Sequence, residues 1–527
     1  MRRGTCCALA AVSVMAVGGI IHIHAQGAAG QVRQIAYLKA SNGEPGDHLG
    51  CGGALDGHAG TGVAISGDGN TIAMAAPHES SSATGVNGDQ ANNGTYNAGA
   101  VYVYTRGGNG AWTQQAYLKA SNPGQSDEFG HAVALSADGN TLAVAAHGEA
   151  SNARGVNGNQ ADNSIPQSGA LYIFTRAAGR WTQQAYLKAS NAGEATVGDR
   201  FGDGDQFGFS MTLSDDGNTV AAGAITEDSG FADNQADNSK ASAGAVYVFT
   251  RTGTTWAQQA YLKAPLIDGG DLFGYSLSLN ANGNTLAVGA YDEGGSSRQI
   301  NGPMDTMRNG SGAAFVFTRA NGAWTHQAYL KAANAEQGDS LGVSVAISDD
   351  GNTLAVGSLD EDCLIGGINP TPCDADRGGD TSAGATYVFT RSGTAWSQQA
   401  YIKSSNIGQF DWFGARLAIS GDGNTFAVSS INEDSAAQGV NGNQKDESAE
   451  EAGAVYFFRR NGTTWTQQAY LKGSNTQAYD EFGTSVALTR DGRTMVIGAK
   501  GEDSAAKIGN QNDNSADEAG AGYVFTY

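Results

Sequence analysis

The sequence repeats itself, and that repetition limits the fold more than anything else in it. DEFGHAVALSADGNTLAVAAHGE, from Asp127 to Glu149, returns as DQFGFSMTLSDDGNTVAAGAITE from Asp205 and as DLFGYSLSLNANGNTLAVGAYDE from Asp271. Aligning the copies on AYLK gives seven units, with tyrosines at Tyr37, Tyr117, Tyr186, Tyr261, Tyr329, Tyr401 and Tyr470. The units start near residues 35, 115, 184, 259, 327, 399 and 468. Repeats of this length are single supersecondary units that bury their faces on their neighbours.

Each unit holds four strand-like runs. In the second they are GHAVALS, NTLAVAA, GALYIFTR and WTQQAYLKA. The first three are apolar on both faces, as in sheets covered on both sides. The fourth alternates: Trp112, Ala116 and Leu118 fall on one side, Thr113, Gln115 and Lys119 on the other. Asp-Gly and Gly-Asn pairs join the first two runs, as tight hairpins require. Four-stranded antiparallel sheets repeated radially make an all-β, seven-bladed β-propeller. A solenoid would need distinct capping units. Here the chain opens on a fourth strand, QVRQIAYLKASN, and ends after a third, AGAGYVFTY. The two ends are expected to complete the last blade together and leave no open edge.

Composition agrees with many short strands and tight turns: 77 Gly, 8 Pro and only 16% charged residues in 527. Net charge is −22. Residues 1–29 carry Arg2 and Arg3 ahead of an apolar run from Cys6 to Ile21, then small residues, the pattern of a cleaved signal peptide. Removing those two arginines takes −22 to −24. Residues 30–527 are then read as one propeller, secreted, periplasmic or at the cell surface, monomeric and without stable membrane insertion. So acidic a protein repels nucleic acid and anionic lipid and attracts cations or basic partners. Cys363 and Cys373 bracket CLIGGINPTPC and could form a disulfide in an oxidising compartment, the alternative being two unpaired thiols. Cys51 is then left alone.

These elements resemble the FG-GAP repeat propellers, the family that includes integrin α headpieces and many secreted bacterial proteins. Phe-Gly stands at Phe129-Gly130, Phe207-Gly208, Phe273-Gly274, Phe413-Gly414 and Phe482-Gly483, and weakens to Leu341-Gly342 and Ala59-Gly60. Gly-Ala-Pro is degraded, Ala75-Ala76-Pro77 coming nearest. The resemblance implies a propeller used for adhesion. The family's acidic calcium loop between first and second strands is missing. Turns such as Ala137-Asp138-Gly139-Asn140 offer one carboxylate, while Ca²⁺ takes six to eight oxygens. Asp138 is expected only to make its turn.

Loops from second to third strand and from fourth strand to the next first strand share one face, and they are the long ones. Two acids recur there. An Asp precedes Phe-Gly by two residues at Asp127, Asp205, Asp271, Asp411 and Asp480, with Asp339 before Leu341-Gly342 and Asp47 before Leu49-Gly50. A Glu follows the second strand in every unit: Glu79, Glu149, Glu227, Glu293, Glu361, Glu433 and Glu502. Two roles suit them. One is architectural, capping loop backbone. The other is binding, with the aspartates as Ca²⁺ ligands alongside amide-rich loops such as NGNQADNS from Asn157.

The recurring tryptophans, Trp112 to Trp465, are expected to pack between blades. Trp412 breaks that pattern beside Phe413-Gly414 and is the best single candidate for a ligand contact. The histidines outside the leader show no metal-ligand spacing, and no nucleophile elbow or phosphate loop is present. No catalytic constellation is recognised, so the expectation is a non-enzymatic propeller that binds an extracellular protein or glycan, with Ca²⁺ as a candidate cofactor. The alternatives are a polysaccharide-acting enzyme and a structural envelope or matrix protein. Charged or His side chains clustered at one point of the face or channel would favour the enzyme, and a ring of equivalent residues would favour binding.

Overall fold

The computed structural model describes residues 31–52, 60–193, 204–371, 373, 381–505 and 511–527. The expected signal peptide lies outside the described residues. Among those residues the regular elements are strands, gathered into seven four-stranded antiparallel sheets. Blade 1 contains Val63–Ile65, Thr71–Ala76, Ala100–Arg106 and Trp112–Leu118 in that order. Blades 2 to 6 repeat the order from Val133–Leu135 to Thr464–Leu471. Blade 7 is made by both ends of the chain. Its first three strands are Phe482–Leu488, Thr494–Ala499 and Ala521–Thr526, and its outer strand is Arg33–Leu38. That closing pair runs antiparallel, with Arg33 opposite Thr526 and Leu38 opposite Gly522. No helix among the described residues is long and apolar enough to cross a membrane.

Second strands of blades 1 to 6 are buried along their whole length, and outer strands alternate at their start, Trp112 buried beside exposed Thr113, then end buried. The short turns form as expected. Asp138 accepts from Ser136 Oγ at 2.6 Å and from the Asn140 N–H at 2.9 Å, and Gly139 takes φ +67. The Phe-Gly element fastens blade to blade. Phe413 is fully buried against Tyr456 and Phe458 of its own blade. Its backbone bridges Gly384, which opens the third strand of the blade before. Gly384 has φ +79, and a Cβ there would meet the Phe413 carbonyl oxygen at 2.1 Å. Only glycine fits that approach.

The recurring tryptophans do pack between blades. Trp181 Nε1 and Arg176 both donate to Gln115 of the preceding blade, at 3.0 and 3.1 Å, with the guanidinium 5.2 Å above the indole. Cys363 and Cys373 are joined, with Cα atoms 5.4 Å apart, and Cys51 is buried outside that disulfide.

Candidate functional site at the axial end of the long-loop face

All eight exposed large apolar side chains among the described residues lie in the two loop sets that share one face: Tyr96, Phe231, Leu266, Met307, Leu364, Ile365, Phe410 and Tyr479. On the opposite face the short turns join backbone to backbone around the axis, and Arg490 pairs with Asp215 and Asp349. The long-loop face is therefore the one equipped to meet a ligand.

The recurring glutamates turn inward. Glu433 accepts from Lys472 Nζ at 2.9 Å, Tyr470 Oη at 2.8 Å and Asn406 Nδ2 at 2.8 Å. Asn406 belongs to the linker from the preceding blade and also accepts from Tyr456 Oη. Glu79, Glu149, Glu227, Glu293, Glu361 and Glu502 pair in the same way with Lys119, Lys188, Lys263, Lys331, Lys403 and Lys39. All seven glutamates are buried. They latch loop, outer strand and neighbouring blade together, and their oxygens are taken. Of the two roles open to them, the geometry supplies the architectural one.

The aspartates are buried too. Asp127, Asp205, Asp339, Asp411 and Asp480 each accept a backbone N–H from their own loop, at 2.6 to 2.8 Å. Burial pushes Asp127 up to about 7 and Asp271, Asp339, Asp411 and Asp480 up to about 8, the backbone N–H groups opposing and nearby glutamates reinforcing the rise. Such carboxyls hold their protons more tightly folded than unfolded. Their contribution to stability is complete below their ordinary 3.8 and is lost as pH rises through about 8. Four histidines act oppositely. Burial lowers His48, His78, His131 and His147 below 6.5, so their contribution is lost as pH falls below that value. Between pH 6.5 and 8 the aspartates dominate, and Tm should fall as pH rises. Asp411→Asn should flatten that slope and melt at or above the parent at pH 8. A slope unchanged in the variant would rule out a protonated Asp411.

The residue between each Asp and its Phe-Gly element comes from every blade in turn: His48, Glu128, Gln206, Leu272, Ser340, Trp412 and Glu481. All seven have left-handed backbone, φ from 49 to 59. Here the sevenfold likeness breaks. Blades 3 to 6 contribute an apolar cluster that includes Phe209, Leu272, Tyr275, Val343 and Ile431, with Trp412 packed against it. Trp412 is thus half-buried in an axial plug rather than displayed. Blades 7, 1 and 2 contribute polar groups. Lys500 pairs with Glu481 at 2.9 Å and His48 with Glu518 at 2.9 Å. His48 stacks near His78, ring centroids 4.5 Å apart, and His131 near His147 at 3.9 Å. His78, His131 and His147 surround Glu128 at 4.0, 3.8 and 3.8 Å.

Sequence spacing missed this cluster because its members come from separate loops of two blades. The available signal was positional. His131 and His147 stand where the fourth unit has Tyr275 and Tyr291 and the fifth has Val343 and Leu359. His58 of the first-unit insertion lies outside the described residues.

Phe410 was missed as well. It precedes Asp411, a position taken by Gly270 and Gly338 in other blades, and has φ 62 with half its surface exposed. Tyr479 is its counterpart in the next blade, with φ 65 and 53% exposed.

Comparison with known proteins agrees with this fold. Residues 112–174 and 465–525 match the FG-GAP repeat. A search of curated proteins finds no match. Among solved structures, a putative 6-phosphogluconolactonase from Bacteroides uniformis is 11% identical, with TM-score 0.42 over 78% of this chain and 85% of that one. U3-55K is 8% identical, with TM-score 0.45 over 92% of this chain and 99% of its own. At those scores neither likeness bears on what this chain does.

Proposed function

This chain is an FG-GAP-type β-propeller of seven blades, and on that premise we propose that it is an exported binding protein whose long-loop face grips an extracellular glycan or protein. The observation that carries the reading is the Phe410–Tyr479 pair. Left-handed backbone costs an L-residue roughly 1–2 kcal/mol, and bulky side chains are rarely found there. A large aromatic that occupies such a position and stays in solvent returns little to the fold. Strain of this kind collects where a side chain must be displayed. Aromatic faces on adjacent blades suit sugar rings and the apolar anchors of a protein partner.

Phe410→Gly tests this directly. Glycine accepts φ 62 without strain, so the variant should melt at or slightly above the parent temperature. Retention on a glycan array or on immobilised matrix proteins should fall at least tenfold. Equal retention by parent and variant would sink the reading. Running the assay in EDTA and then in calcium shows whether Ca²⁺ assists. The recurring acids being buried, that ion would have to sit on exposed loop oxygens such as those of Asp89 and Asp233.

One observation favours a second reading, a polysaccharide-acting enzyme: the His–Glu cluster is confined to one point of the axial end. Release of oligosaccharide from a polysaccharide panel, lost on replacing Glu128, would favour it over simple binding.

A further inference from the structure

We propose that Glu128, His131 and His147 bind one divalent transition-metal cation of the zinc class, with His78 at the edge of the site. The three donor atoms lie within 4.8 Å of one another, and the group is assembled by two loops of blade 2 that flank a single hairpin. The proposal does not depend on the glycan or protein reading.

Three observations point to an ion. The first is missing hydrogen bonds. His147 Nδ1 and Glu128 Oε2 are buried without one, and the fully buried His131 ring has only the Phe209 backbone as a hydrogen-bonding neighbour. Buried groups of this kind normally have partners, and leaving one unpaired is costly. The second is spacing. His131 Nδ1 and His147 Nδ1 each stand 3.8 Å from Glu128 Oε2, too far for a hydrogen bond. Ligands about 2.0–2.1 Å from a tetrahedral zinc stand roughly 3.4 Å apart, so closing on an ion needs a shift of a few tenths of an ångström. The third is donor chemistry. Two imidazoles and a carboxylate suit zinc-class ions, while a single carboxylate is a poor offer to Ca²⁺.

The site also has access. The Glu128, His78 and His147 side chains keep 18%, 12% and 12% of their surface exposed. His78 Nε2, 4.0 Å from Glu128 Oε1, can supply a fourth ligand or leave that position to water. Three protein ligands with one open position is the arrangement of zinc sites that engage an external molecule.

The test is equilibrium dialysis of the EDTA-treated full chain against Zn²⁺. Near-stoichiometric binding is expected, with a rise in Tm that saturates as zinc is added. Glu128→Gln and His147→Gln, both at partly exposed positions, should each weaken binding at least tenfold. His326→Gln controls for exposed imidazoles and should leave it unchanged. Co²⁺ bound to the unmutated chain should show the intense visible absorption of a tetrahedral nitrogen–oxygen site, a readout that does not depend on any variant folding. No zinc bound by the parent, equal affinity in Glu128→Gln and His147→Gln, or cobalt with only the weak absorption of an octahedral ion would each overturn the proposal.

Discussion

Deleting residues 31–41 should cost this protein the cooperative melting of its closed ring. The outer strand of blade 7, Arg33–Leu38, seals the sheet formed by Phe482–Leu488, Thr494–Ala499 and Ala521–Thr526. Ala36, Tyr37 and Leu38 are buried, and the Tyr37 ring packs edge-on against Tyr523 at 5.3 Å. A large apolar side chain fully buried contributes about 1.5–3 kcal/mol. The deletion also removes Lys39, whose ammonium lies 2.8 Å from the buried Glu502 carboxylate. Breaking a buried pair by removing one partner costs about 3–5 kcal/mol. Together these approach the whole stability of an ordinary domain, about 5–15 kcal/mol. The unpaired edge of Ala521–Thr526 would in addition invite association with other chains. Calorimetry should show either no single transition or a Tm lowered by roughly 10 °C or more. A peptide of residues 31–42 added in excess should restore part of the loss, since the missing strand can dock on the open edge. A truncated chain that melts like its parent would show that closure contributes nothing.

Much of this architecture was written in the repeat. The phase of AYLK counts the blades, and the outer-strand run Arg33–Leu38, ahead of the first complete unit, pairs with Ala521–Thr526 to close the ring. These features were legible because they recur: a pattern present seven times stands out from any one unit. The same averaging hid the site. A glutamate found in every unit draws attention, yet Glu79 and its six counterparts are buried latches. Departures carry the other information. His131 and His147 stand where other units place aromatic or aliphatic residues, and Phe410 stands where four of them place glycine: Gly46, Gly204, Gly270 and Gly338. None of the three belongs to a linear motif. Glu128, His131 and His147 meet only because one hairpin of blade 2 brings its two flanking loops to the axis. Trp412 drew notice for a sound reason, its break from the tryptophan phase, but its indole serves the apolar plug while Phe410, two residues earlier, faces solvent.

Glu433→Ala should destabilise the protein by about 3–5 kcal/mol, the cost of breaking a buried pair from one side. The carboxylate collects an ammonium, a phenol, a side-chain amide and the Ser435 N–H at 3.2 Å, none of them water. Alanine would leave the Lys472 ammonium with no counter-ion in a site where its side chain is wholly buried. Burial already draws the Lys472 pKa down against the pull of Glu433, so the variant should relieve itself partly by shedding that proton. Two consequences follow from this account and from no surface role. Adding Lys472→Met to Glu433→Ala should recover a large part of the loss, because an uncharged chain of similar length no longer needs a partner. The loss in Glu433→Ala should also shrink as pH is raised toward the lysine pKa. Urea unfolding of the parent, both single variants and the double variant gives the coupling between the two residues. A single variant within 1 kcal/mol of the parent would dismiss the latch. If binding also fell while stability held, Glu433 would belong to the ligand face after all. A ligand role and a latch role therefore predict opposite outcomes of one experiment, and the burial of Glu433 together with Lys472, Tyr470 and Ser435 favours the latch.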